Sequence, residues 1–164
     1  MDTNFFENTQ YKNKFTRQSL LLDITLVSNK KKYNITLPED LKIDMFSEVF
    51  VDTIVTNNIT TNNTSQYLGM LINIDNINIR TIGGNTGGNN IFNNNYFIPN
   101  EAEGGGMKIH KGRKQNYMGT IEPGNYRNFN ITLSNLNNQA LITHDPTADP
   151  QTGTFIIDLI IIEK

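Results

Sequence analysis

The sequence predicts an all-β fold, a two-sheet antiparallel sandwich of about eight strands. Apolar residues recur at every second position in one segment after another. No segment sustains the i, i+3, i+4 apolar spacing of an amphipathic helix. Clusters of Asn, Gly, Pro and Ser separate the alternating segments, as turns separate the short strands of a sandwich.

Leu20, Leu22, Ile24 and Leu26 share one face of the first strand, with Asp23 and Thr25 on the other. Asn29-Lys30-Lys31-Lys32 is a polar turn, and Tyr33, Ile35 and Leu37 make a short second strand that Pro38 should end. The polar stretch 38–42 has room for one helical turn. The third strand, 45–57, puts Met45, Val49, Val51, Thr53 and Val55 on one side, and Phe46, Phe50 and Ile54 on the other. In 67–80, Ile72 and Ile74 share one parity and Ile77 and Ile79 the other, so a bulge or tight turn is expected at Asp75-Asn76. A strand over 91–98 should stop at Pro99. Short strands at 107–110 and 117–121 flank a basic turn. Phe129, Ile131 and Leu133 alternate cleanly with polar residues. In the last strand, Phe155, Ile157, Leu159 and Ile161 form one face, while Ile156, Ile160 and Ile162 occupy the other with Asp158. Apolar residues on both faces imply burial on both, under loops or against another subunit. Jelly-roll, immunoglobulin-like and tumour-necrosis-factor-like sandwiches all meet this pattern.

With 164 residues the chain fits one domain, expected over 18–164. Residues 1–17 lack clean periodicity and read as an N-terminal arm, with Phe5, Phe6, Tyr11 and Phe15 as anchors on a neighbour or as a locally packed terminus. There is no cysteine, hence no disulfide or cysteine-zinc cluster, which suits a reducing compartment. The start shows no basic region followed by an apolar run, so no secretory signal is expected. No stretch reaches the roughly 18 apolar residues of a helical membrane span, and the chain is expected to be soluble. A net charge of −2 gives no global field for specific nucleic-acid binding. Asparagine fills 26 positions, which reads as AT-rich coding, so the sequons at Asn34, Asn58, Asn62, Asn63 and Asn130 need no glycan.

Little here points to catalysis, and no catalytic residue, metal or cofactor is expected. The glycine-rich stretches 83–88 and 104–106 open no helix and lack the Lys-Ser/Thr pair of a phosphate loop. His110 and His144 stand alone, without a nucleophile motif. Asp145 and Asp149 lack the alternating ligand spacing of a calcium loop. Lys108, His110, Lys111, Arg113 and Lys114 form a basic patch, and Lys30–Lys32 a second; each reads as a solvated turn or as a contact for acidic neighbours or phosphate.

The order 47–54, 67–79, an Asn-rich loop, Tyr96-Phe97-Ile98-Pro99-Asn100-Glu101, 111–117, 123–133 and a final 155–163 strand resembles single jelly-roll capsid proteins. These are the penton and minor capsid proteins of large nucleo-cytoplasmic DNA viruses and their virophages, and the likeness covers most of the chain from about residue 19. It implies one jelly roll standing upright at an icosahedral vertex of the virion, five copies in a ring, and loops that meet the major capsid protein and other minor capsid proteins. It also implies synthesis in host cytoplasm. On that reading a closed homo-oligomer covers Ile156, Ile160 and Ile162, or surfaces around Phe46 and Phe50, while Phe5, Phe6 and Phe15 reach a neighbouring capsomer. The rival readings are a trimeric tumour-necrosis-factor-like or lectin-like head on a fibre or cell surface, and a cupin-like enzyme. The latter needs a histidine cluster that two isolated histidines do not supply.

Overall fold

The computed structural model describes residues 16–27, 29–57, 59–60, 69–81, 93–104, 107–110, 116–143 and 152–163. Phe5, Phe6, Tyr11 and Phe15 lie outside these residues, as do His144, Asp145, Asp149 and the 83–88 glycine stretch. Thr16 and Arg17, expected in the arm, already belong to the first strand.

Eleven strands and no helix occur among the described residues. They are β1 (Thr16–Val27), β2 (Lys32–Ile43), β3 (Ser47–Asn57), β4 (Ile59–Thr60), β5 (Gly69–Ile74), β6 (Tyr96–Gly104), β7 (Met107–His110), β8 (Asn116–Ile121), β9 (Gly124–Asn135), β10 (Ile142–Thr143) and β11 (Thr152–Glu163). One sheet has the order β1-β11-β3-β8 and the other β2-β9-β5-β6-β7, with β4 and β10 as a small separate ribbon. The antiparallel pairing is nested: β1 with β11, β2 with β9, β3 with β8, β5 with β6. A long hairpin of four such pairs, wrapped so that β11 also meets β3 and β9 also meets β5, is a jelly roll. The alternation alone left several sandwich topologies open; this strand order selects one.

The core lies between the sheets and is built from the predicted alternating faces. Leu22, Phe129, Leu133, Phe155, Ile157, Leu159 and Ile161 are all completely buried. The parity slip at Asp75-Asn76 is a tight turn closed by the Ile77 amide donating to the Ile74 carbonyl at 2.9 Å, and both Ile77 and Ile79 are buried beyond it. Asn78 then bridges to Thr120 of β8, its amide 2.7 Å from the Thr120 carbonyl, which joins the turn after β5 to the edge of the opposite sheet. Gly119 permits that approach, since a Cβ there would sit 2.6 Å from the Asn78 carbonyl oxygen.

Three expectations need correction. Pro38 does not end the second strand, and no helical turn follows it. β2 runs through to Ile43 on the edge of its sheet, with residues 37–40 looped out of the pairing with β9. A proline is tolerated there because an edge strand needs no donor on its outer side. Likewise Pro99 lies within β6, opposite Gly69 at the last pair with β5, where β6 passes its pairing on to β7. Finally, Val55 does not share a face with Val49 and Val51. Asp158 pairs with Thr53 and Leu159 with Val51, so Asp52 is the extra residue of a bulge. Beyond it Ile54 turns inward at 2% exposure and Val55 outward at 51%.

Candidate assembly interface

Sheet β1-β11-β3-β8 has one face in the core and one outside, and the outer face mixes apolar side chains with charged and polar ones. Its side chains form rows of direct cross-strand neighbours. Ser19, Ile160, Phe50 and Tyr117 make one row spanning all four strands. Arg17, Ile162 and Glu48 make the row on one side; Leu21, Asp158 and Thr53, then Asp23, Ile156 and Val55, follow on the other. Period-2 alternation produces these rows, because residues two apart on each strand return to the same face.

The middle of the face is ordered within the chain. Phe50 and Tyr117 meet edge to face, with centroids 5.7 Å apart and planes at 72°, a geometry the ring quadrupoles favour. Ser19 donates its hydroxyl to Asp158 at 2.7 Å, so the carboxylate between Ile156 and Ile160 on the outer face of β11 has a partner. Arg17, Phe50, Ile160 and Ile162 line a groove of about 270 Å³. Ile160 is its floor and is already 4% exposed, whereas Tyr117 is 53% and Leu21 61% exposed.

The outer face of the second sheet provides the contrast. Lys32, Asn34 and Thr36 of β2 stand opposite Thr132, Asn130 and Asn128 of β9. The Asn34 amide donates to the Asn130 side-chain oxygen and the Thr36 hydroxyl to the Asn128 oxygen, each at 2.8 Å. This β2–β9 part of the face pairs its polar groups across the strands and suits water, whereas Leu71 and the partly exposed Phe97 occupy its β5–β6 part.

Of the residues expected at an interface, the structure therefore brings Phe50, Ile160 and Ile162 together around one groove, with Ile156 two rows away beside Val55. Phe46 is not with them. It is exposed in the bend between β2 and β3, at the end of the sandwich. The alternation did not reveal Tyr117 as part of this face, because its place depends on a register shift between Val49 and Phe50 that only the β3–β8 pairing displays.

No group of three metal-ligating side chains occurs among the described residues. A polar cleft of about 420 Å³ beside the turn after β5 is lined by Asn73, Asp75, Asn76 and Glu122 among others, and it gathers neither a nucleophile with a base nor a ligand set. The Lys30–Lys32 turn has a structural use: Lys31 Nζ donates to the Asn138 carbonyl at 2.9 Å, and Lys30 lies over the Tyr33 ring. Of the second basic patch, Lys108 and His110 lie on β7, whereas residues 111–115 are outside the described residues. No described helix is long and apolar enough to cross a membrane. No family model matches the chain, and no curated protein matches its sequence.

Proposed function

We propose that the chain is a structural capsid protein, a penton or minor capsid subunit of the virion, in which five copies close a ring at the icosahedral vertex. The observation that carries this reading is the apolar row on the outside of the jelly roll, where half-buried Phe50 and exposed Tyr117 stand beside buried Ile160, with Leu21 and Val55 exposed on the same face. The β2–β9 part of the other outer face is instead an asparagine-threonine ladder. Contiguous exposed apolar surface marks an interaction site. A four-stranded face of this length covers on the order of 700 Å², from strand spacings of about 4.8 Å and rises of about 3.3 Å per residue. The whole face, apolar row and polar flanks together, thus has room for the ~800 Å² each partner contributes to a standard interface. In a cyclic ring such a patch meets a different patch on the next copy, and five steps close it. Loops at the ends of the sandwich are then free to meet the major capsid protein and other minor capsid proteins.

Light scattering on the purified chain across concentration tests the copy number. A mass of five chains, each 18.6 kDa, or a whole multiple of five where rings join, is the expected result. A trimer would favour the tumour-necrosis-factor-like or lectin-like head instead, and a monomer at every concentration would contradict ring closure.

A further inference from the structure

The four outer edges of the two large sheets are not alike. The edge strand β2 carries Pro38 and is broken by its looped-out residues 37–40. β8 has six residues and a register shift, and β7 has only four residues. Such breaks, short lengths and prolines are how proteins stop edges from pairing with other chains. β1 has none of these devices. It pairs with β11 over all twelve residues with no register break, and with no other strand among the described residues. Alternate residues of β1 therefore direct N–H and C=O groups away from the sheet. Beside this edge a groove of about 300 Å³ runs between residues 18–21 and residues 37–41, with Leu37 and Leu41 partly buried along it.

We infer that β1 is a strand-addition edge whose occupant is β1 of a second copy, paired antiparallel across a two-fold axis at Leu20. The charges of the strand point to this occupant. The charged residues of β1 are Arg17 and Asp23, both on the outer face. A continuous sheet must pair odd positions with odd, so that core side chains stay on the core side. Among those registers, the one centred on Leu20 sets Arg17 opposite Asp23 of the other copy, twice. Centring on Leu21 or Leu22 leaves both charges without a counterpart, and centring on Asp23 opposes like charges. The same register sets Ser19 opposite Leu21 and brings the two Leu20 side chains together over the groove. The product is one eight-stranded sheet, with the two apolar outer faces side by side. This contact is made along the backbone edge of β1, with Arg17 and Asp23 flanking both contacts, whereas the ring contact rests on Phe50 and Tyr117, so either can fail alone.

The test is sedimentation analysis in a Phe50→Asp background, which removes the ring contact from the measurement. The expected result is a monomer–dimer equilibrium that Arg17→Asp or Asp23→Arg alone weakens about ten- to thirty-fold, since each turns two attractive surface pairs into repulsive ones. The exchanged pair Arg17→Asp/Asp23→Arg should restore it. Because the chain has no cysteine, Ser19→Cys/Leu21→Cys should also oxidise to a covalent dimer, whereas Arg17→Cys/Leu21→Cys should not. A dimer indifferent to the single reversals, failure of the exchange to rescue, or absence of the disulfide dimer would overturn the inference. So would a strict monomer whose β1 amides exchange slowly, which would assign the edge to the chain's own residues 1–15.

Discussion

The ring of Phe50 packs edge-on against the ring of Tyr117, 5.7 Å away, on the outside of the sandwich. An aromatic pair in that position contributes little to the core and much to a surface that water solvates poorly. Phe50→Asp should therefore abolish ring closure while leaving the chain folded, with a stability loss of about 1 kcal/mol. Light scattering beside a thermal melt checks both halves of the statement.

The bulge at Asp52 makes adjacent residues respond oppositely. Ile54 is buried and Val55 exposed. Ile54→Ala should cost about 2–4 kcal/mol, as for a cavity in a packed core, and Val55→Ala less than about 0.5 kcal/mol. Urea unfolding of the dilute chain in the Phe50→Asp background separates these effects from ring assembly. Equal costs would contradict the parity switch.

Asn135 is 1% exposed at the end of β9. Its side-chain oxygen accepts from the amides of Asn137 and Gln139, each at 2.9 Å. Asn135→Ala leaves both donors without that acceptor in a part-buried turn and should cost about 1–3 kcal/mol. Asn135→Asp keeps an acceptor there and should recover most of it, as read by urea midpoints.

Burial raises the Tyr33 hydroxyl above its ordinary value of 10.0, against a smaller opposing effect of its hydrogen bond with the Val27 backbone. That hydroxyl also donates to the Lys30 carbonyl at 2.8 Å. The unfolded chain loses this proton first, so the Tyr33 contribution is complete below pH 10 and is lost as pH rises from there through the higher folded value. Tyr33→Phe should lower stability at neutral pH by about 0.5–1.5 kcal/mol and make the decline above pH 10 shallower. Unfolding midpoints between neutral pH and the alkaline limit measure the difference.

Much of this fold was legible because alternation reports a face directly: Leu20 through Leu26, Phe129 through Leu133 and Phe155 through Ile161 all point inward as their spacing predicts. Two prolines misled, because a proline ends a strand only where its missing N–H is needed, and Pro38 and Pro99 stand where it is not. The switch at Asp52 was hidden for another reason. A bulge is a property of two paired strands, and no single strand's sequence contains the partner. The asparagines also have structural roles that their abundance does not reveal. All three described non-glycine residues with positive φ, Asn29, Asn94 and Asn138, are asparagines, a backbone region that residue type tolerates. Asn34, Asn128 and Asn130 build the cross-strand ladder. Of the apolar outer face, Phe50, Ile156, Ile160 and Ile162 followed from apolar residues on both sides of a strand; Tyr117 required the pairing itself.

Hydroxyl-radical footprinting of the chain, dilute against concentrated, tests most directly whether the outer face of sheet β1-β11-β3-β8 is the surface that assembly covers. Tyr117 and Phe50 should lose reactivity as the mass rises, while Met45, exposed at the end of the sandwich, keeps its own. Oligomers in which Tyr117 and Phe50 stay as reactive as in the dilute chain would contradict the account.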